Sequence, residues 1–193
     1  MPPSLRLTWD REDRSFEAVE PDASLVAQSA EQLRDWYNAS ENASMMDGSG
    51  SMSREDVIEF WRELRASGGW GFLAFVDGRL VGDADLRSIH DGAAEFAIMI
   101  GPAAEKGRGI GRTLASMLHV FAFRELALAR VFVPPRRDNH RVHALNAYLG
   151  YELDESARAR AFAGGPDSET YSLAAATFRA KHRAAWREVE VRR

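Results

Sequence analysis

Residues 94–112 read AEFAIMIGPAAEKGRGIGR, an alternating apolar strand that runs into a glycine-rich turn and then into a helix. Leu114, Met117, Leu118 and Phe121 recur at helical spacing, which predicts a helix over residues 113–126 with one apolar face. A strand end and a helix start joined this tightly aim several backbone N–H groups at one point. The positive end of the helix dipole adds to them, and such a place binds phosphate. Gly107, Gly109 and Gly111 let the backbone approach an anion because no Cβ stands in the way. Lys106, Arg108 and Arg112 add cationic side chains. The dinucleotide fingerprint G-x-G-x-x-G is not met, because its third glycine falls on Arg112, and the pattern G-x-x-x-x-G-K-[ST] is absent. The plainer alternative is a tight strand–helix turn that holds no ligand.

The flanking sequence supplies a sheet and further helices. Residues 5–9 and 15–19 alternate apolar and polar and read as two strands around a charged turn. Val26, Ala30, Leu33 and Tyr37 predict an amphipathic helix over residues 24–38. Residues 38–53 are small, polar and glycine-bearing, hence a loop. Ser53 and Asp56 match a capping box, and the helix they start turns Val57, Phe60, Trp61 and Leu64 inward until Gly68 and Gly69. Residues 70–76, 80–89 and 94–100 form a three-strand meander, with Asp77-Gly78 and Asp91-Gly92 as its turns. Residues 130–133 are a short strand stopped by Pro134 and Pro135. Asn139 opens a helix that Gly150 closes, and strands follow at residues 151–153 and 170–174. Residues from 175 onward have helical character and carry Arg179, Lys181, Arg183, Arg187, Arg192 and Arg193. These charges read as a solvated helix face or, alternatively, as a nucleic-acid or ribosome contact.

Composition excludes several classes. A net charge of −4 over 193 residues argues against a general nucleic-acid binder. The chain has no cysteine, so it has no disulfide framework, thiolate metal site or cysteine nucleophile. Its five histidines show no metal-ligand spacing. No apolar run reaches the roughly 18 residues of a membrane span. The expectation is a soluble cytoplasmic protein with no membrane or nucleic-acid partner.

Residues 106–111, KGRGIG, resemble the pyrophosphate loop of the GNAT superfamily of acetyl-CoA-dependent acyltransferases. The family pattern is (Arg/Gln)-x-x-Gly-x-(Gly/Ala), and Lys106 departs from its first position. Residues 139–151, NHRVHALNAYLGY, resemble the family's N-x-R-A…L-G-F ending. The likeness runs from Gly71 to Tyr151. Toward the N-terminus, WYNASENA and the helix around residues 55–61 look like the ribosomal-protein alanine acetyltransferase branch. The resemblance implies one domain over residues 1–193. Its fold class is α+β, with a mixed, mainly antiparallel central sheet and helices on both faces, and residues 175–193 form a C-terminal helical extension.

The same resemblance implies transfer of an acetyl group from acetyl-CoA to an amine by direct attack. The backbone of Ile98, Met99 and Ile100 would pair with the pantetheine arm. Lys106, Gly107, Arg108, Gly109, Ile110, Gly111 and Arg112 would cradle the pyrophosphate, and Asn139 would cap its helix facing the cofactor. Glu95 shares a strand face with Ala97 and Met99 and is the candidate base, acting through a water. Its alternative reading is an inert rim residue. Asp83 and Asp85 share a face with Arg87. They read either as a cradle for a cationic acceptor or as an exposed sheet face with an Asp85–Arg87 pair. The tyrosine acid of many family members falls here on Asn146. Tyr148, two residues on, is the nearest tyrosine and is a candidate acid or a core-packing ring; the alternatives are that Asn146 only orients the thiol or that solvent protonates it. Residues 45–50 read as a lid over the acceptor pocket or as a connector. The acceptor is a small polyamine or aminoglycoside-like amine, or a protein N-terminus. The tail helix is a candidate homodimer contact. The competing reading is a non-catalytic acyl-CoA-binding module on the same scaffold.

Overall fold

The computed structural model describes residues 5–44 and 51–193, so the loop of residues 45–50 lies outside it. The first hairpin pairs β1 (Arg6–Arg11) with β2 (Arg14–Val19), and Glu12 and Asp13 turn it with φ of 51° and 61°. Helix α1 (Ala23–Asn38) starts at Asp22, whose carboxylate accepts from the Leu25 N–H at 2.8 Å. Within the expected loop lies one helical turn, α2 (Ser40–Ala43). Helix α3 (Arg54–Ala66) has the predicted capping box, with Ser53 and Asp56 each accepting from the other's backbone N–H.

The meander forms as expected from β3 (Trp70–Val76), β4 (Arg79–His90) and β5 (Ala93–Ile100). Asp77 and Gly78 sit at φ of 50° and 73°, the paired positive values that a type I′ hairpin requires. Helix α4 (Ile110–Val120) starts three residues before the expected point and ends in a π-helical turn at Phe121–Glu125. Next come β6 (Arg130–Val133), α5 (His140–Leu149), the two-residue β7 (Glu152–Leu153) and β8 (Tyr171–Ala174).

The tail differs from the expected helical extension. It holds α6 (Ala175–Lys181), α7 (Arg183–Glu188) and a strand, β9 (Glu190–Arg192). Strand β9 pairs with β1, matching Leu7 to Val191. Phe178 is fully buried, and Arg124 donates to the carbonyls of Trp186 and Val189 at 2.8 and 2.9 Å. The tail is therefore built into the domain.

The sheet order is β7-β8-β6-β5-β4-β3-β2-β1-β9, and every neighbouring pair is antiparallel except β5 and β6. On one face α4 buries Leu114, Met117 and Leu118 against Phe72, Leu86, Phe96 and Val131. On the other, α1 and α3 bury Val26, Ala30, Leu33, Tyr37, Val57 and Trp61 against Leu73. The fold is α+β with helices on both faces.

Candidate active site

Strand β5 pairs with β4 along its length, from Arg87↔Glu95 to Gly82↔Ile100. Its pairing with β6 spans three residues, Ala93 to Glu95, against Arg130 to Phe132. Beyond Glu95 the two strands part, because β6 ends at Val133 before two prolines that cannot donate to a ladder. The β5 edge around Ile98, Met99 and Ile100 therefore has no strand partner among the described residues. An extended ligand carrying amide groups fits such an edge.

Helix α4 starts where this edge ends. Gly109 is its N-cap at φ 82° and Gly107 sits at φ 77°, a conformation that side chains with a Cβ rarely adopt. No side chain caps the helix, so its first N–H groups are open to a ligand. A Cβ on Gly111 would lie 3.7 Å from Ile100 Cγ1, which sets the loop directly against the β5 end. Ile110 is buried, so its contribution to a ligand is backbone. Arg108 is exposed and ion-paired with Glu105 at 3.6 Å, and the Arg112 guanidinium lies 5.0 Å over the Tyr148 ring. Lys106 is engaged elsewhere: its ammonium donates to Asn42 at 2.7 Å and to Glu41 at 3.0 Å. Glu41 also pairs with Arg141 on α5. Helix α2 is thus tied to both the glycine loop and the start of α5. The sequence shows Glu41 and Asn42 as loop residues and gives no sign of this tie.

The acidic face of β4 is not exposed, contrary to one of the two expected readings. Asp83 and Asp85 are 7% and 8% exposed, because α1 and α3 cover them. Asp83 pairs across the sheet with Met99, Asp85 with Ala97 and Arg87 with Glu95, so all six share one face. Asp85 takes a two-bond grip from Arg87, at 2.6 Å each, as the sequence suggested. Burial raises the Asp85 carboxyl, against the opposing hydrogen bonds and charge of Arg87. Burial alone would lower Arg87, but Asp85 outweighs it and holds the guanidinium firmly charged. Asp83 accepts from the Tyr37 hydroxyl. Burial pushes the Asp83 carboxyl up to about 7, against the opposing pull of that hydrogen bond. Tyr37 itself is raised by burial and by the Asp83 charge. The Trp61 indole N–H acts on the Tyr37 hydroxyl in the opposite direction but completes no hydrogen bond, and it is buried. Sequence periodicity put Tyr37 and Trp61 in the core and did not show that their polar atoms meet Asp83. Glu95 is half-buried at the last β5–β6 rung, across from Arg87.

On α5, Asn139 is the N-cap and accepts from the Val142 N–H at 3.2 Å. Asn146 is 3% exposed, and its amide Nδ2 is buried with no hydrogen-bond partner. Tyr148 is half-buried between Arg112 and the His182 ring, whose centroid is 5.0 Å away. Asn146 thus faces the interior, and Tyr148 stands between the glycine loop and the tail. No group of three or more potential metal ligands occurs among the described residues, and none of their helices is long and apolar enough to cross a membrane.

Comparison with the curated proteins finds no match. Solved structures share the fold. RimJ from Mycobacterium smegmatis, in complex with CoA-disulfide, is 16% identical with a TM-score of 0.71, covering 97% of this chain and 95% of that one. The aminoglycoside acetyltransferase AAC(6′)-Ib, in complex with paromomycin and acetyl-CoA, is 16% identical with a TM-score of 0.69, covering 93% and 98%. A spermidine N-acetyltransferase SpeG chimera from Vibrio cholerae and hSSAT is 17% identical with a TM-score of 0.67, covering 86% and 97%. The acetyltransferase (GNAT) domain family matches residues 10–152, well over half of the sequence, and so the chain belongs to the GNAT acetyltransferase family.

Proposed function

We propose that this chain is an acetyl-CoA-dependent N-acetyltransferase that passes the acetyl group directly to a primary amine. The observation that carries the reading is the parting of β5 and β6 beside an uncapped helix start. When bound, acetyl-CoA supplies an activated thioester. The β5 edge around Ile98, Met99 and Ile100 pairs with its pantetheine amides, and the first turn of α4 holds its pyrophosphate with Gly107, Gly109 and Gly111. Arg108 and Arg112 add charge there. Lys106 contributes its backbone, since its ammonium is held by Glu41 and Asn42. Asn139 fixes the start of α5 beside the same ligand.

Glu95 takes the proton from the attacking amine, directly or through a water. Arg87 opposite keeps it oriented. A β5 backbone N–H donates to the thioester oxygen as charge develops there; the C–N bond forms, the C–S bond breaks, and CoA leaves as the thiolate, which takes its proton from Tyr148 or from solvent. With no cysteine in the chain, no thiol carries the acetyl group. Asp83 and Asp85 would act on a cationic acceptor only from beneath this face, Asp83 through the Tyr37 hydroxyl that covers it and Asp85 through its pair with Arg87. A small polyamine or aminoglycoside-like amine is one acceptor we propose, on the likeness to the spermidine and aminoglycoside acetyltransferases. A protein N-terminus is the other acceptor we propose, on the likeness to RimL, a ribosomal L7/L12 alpha-N-protein acetyltransferase. The proposed setting is the cytoplasm, with homodimerisation open to a sedimentation test.

Asn146 favours a second reading. An amide cannot give a proton to the departing thiolate, so if neither Tyr148, which stands beside Arg112 of the glycine loop, nor solvent supplies it, a binding module without turnover is the rival. Calorimetry with acetyl-CoA on the wild type and on Gly109→Asp tests the site; the aspartate should abolish binding. Thiol release with spermidine, paromomycin and an alanine-initiated peptide tests turnover. Glu95→Gln is expected to lower the rate about 100-fold with acetyl-CoA affinity intact. Tight acetyl-CoA binding with no thiol release on any of the amines would favour the module.

A further inference from the structure

We propose that the groove between α6 and α7 docks an extended acidic segment of a partner protein. The groove encloses about 500 Å³ and is lined by Ala176, Arg179, Ala180, Arg183, Trp186 and Arg187. Half of its lining is arginine and none is acidic. Arg179 lies over the Trp186 ring at 5.3 Å, and none of the three guanidinium groups has a carboxylate partner among the described residues. Most arginines elsewhere on this surface are paired, among them Arg14 with Asp77, Arg34 with Asp35, Arg62 with Glu59 and Arg65 with Glu20, whereas singly placed ones such as Arg160 have no carboxylate partner among the described residues. A chain of net charge −4 thus gathers three uncompensated cations in one groove.

The groove is also rigidly mounted. Phe178 anchors α6 in the core, His182 Nε2 meets the Leu149 carbonyl oxygen at 3.1 Å, and Arg124 holds the end of α7.

Spacing and lining select the occupant. Arg183 and Arg187 are one turn apart, about 6 Å along a helix. Alternate side chains of an extended peptide repeat at about 6.8 Å. Carboxylates at every second residue therefore meet successive arginines in charge-assisted pairs. The methyl groups of Ala176 and Ala180 and the Trp186 indole pack the residues between. A nucleic acid would bring a long run of negative charge against a negative protein, so a short acidic peptide is favoured over it.

The test is fluorescence polarisation on the full chain. The probe is a labelled octapeptide alternating Glu and Ala, compared with one alternating Gln and Ala and with a deoxythymidine octamer. The glutamate peptide should bind at least about tenfold more tightly than either control. Replacing Arg179, Arg183 and Arg187 together with Gln should erase that preference, with the thermal melt of the variant unchanged. If the triple variant melts early, Arg183→Gln and Arg187→Gln singly should each weaken binding about threefold. Equal binding of the two peptides, no measurable binding of the glutamate peptide, undiminished binding by the variants, or tighter binding of the oligonucleotide would each overturn the proposal. The readout involves no acetyl transfer, so it succeeds or fails apart from the acetyltransferase reading.

Discussion

Asp83 and His119 are both buried, and they pull the pH dependence of stability in opposite directions. Burial raises the Asp83 carboxyl from 3.8 to about 7. Between these values the folded chain holds a proton that the unfolded chain has lost, so stability falls as pH rises through the window. The full cost, reached above pH 7, is on the order of 4 kcal/mol. Burial lowers His119 from 6.5 to about 4, where its Nδ1 faces the Ala115 carbonyl at 2.7 Å and its Nε2 the Tyr151 hydroxyl at 2.6 Å. Here the unfolded chain takes up the proton first, so stability is lost as pH falls from 6.5 through 4, by about 3 kcal/mol. The two slopes offset each other over most of one window. Asp83→Asn removes one of them. Its stability relative to the wild type is expected to grow steadily from pH 4 to pH 7 in urea melts, which would also expose the acid sensitivity set by His119.

Elements whose cause is local are legible in the sequence. The Asp77-Gly78 and Asp91-Gly92 turns, the Ser53–Asp56 capping box and the apolar stripe of α1 each need a few neighbouring residues, and each forms as read. Ser53→Ala is expected to cost about 1 kcal/mol in thermal melts, since it removes one half of the box. The glycine loop and the strand before it are legible for the same reason. Elements fixed by distant partners are not. Residues 188–193, EVEVRR, alternate, but four of the six are charged, and the strand forms only because β1 offers an edge. Of the readings of Asp83 and Asp85, the open sheet face fails because nothing nearby in sequence shows that the face is covered, while the Asp85–Arg87 pair forms as read. Tyr37 reaches Asp83 across 46 positions. Lys106 reads as a phosphate ligand until Glu41 and Asn42, more than 60 positions away, are seen to hold it.

For the whole molecule, the chain's last residues hold its first strand. Val189 is 2% exposed, and Trp9 Nε1 donates to Glu188 at 3.2 Å. Deleting residues 189–193 uncovers the outer edge of β1 and is expected to cost roughly 2–3 kcal/mol, read as a lower melting temperature. At the other side of the sheet, β6, β8 and β7 join the remaining strands through three β5–β6 rungs. Two rafts of strand stitched at one end can breathe about the stitch. A ligand lying in the opening would then act as a second seam, adding rungs where the backbone supplies none. Amide exchange would register it: Val131, Phe132 and Val133 should slow when acetyl-CoA binds, while the β1–β2 hairpin, on the far side of the continuous ladder, keeps its rate. The substrate would in this sense complete the sheet that binds it.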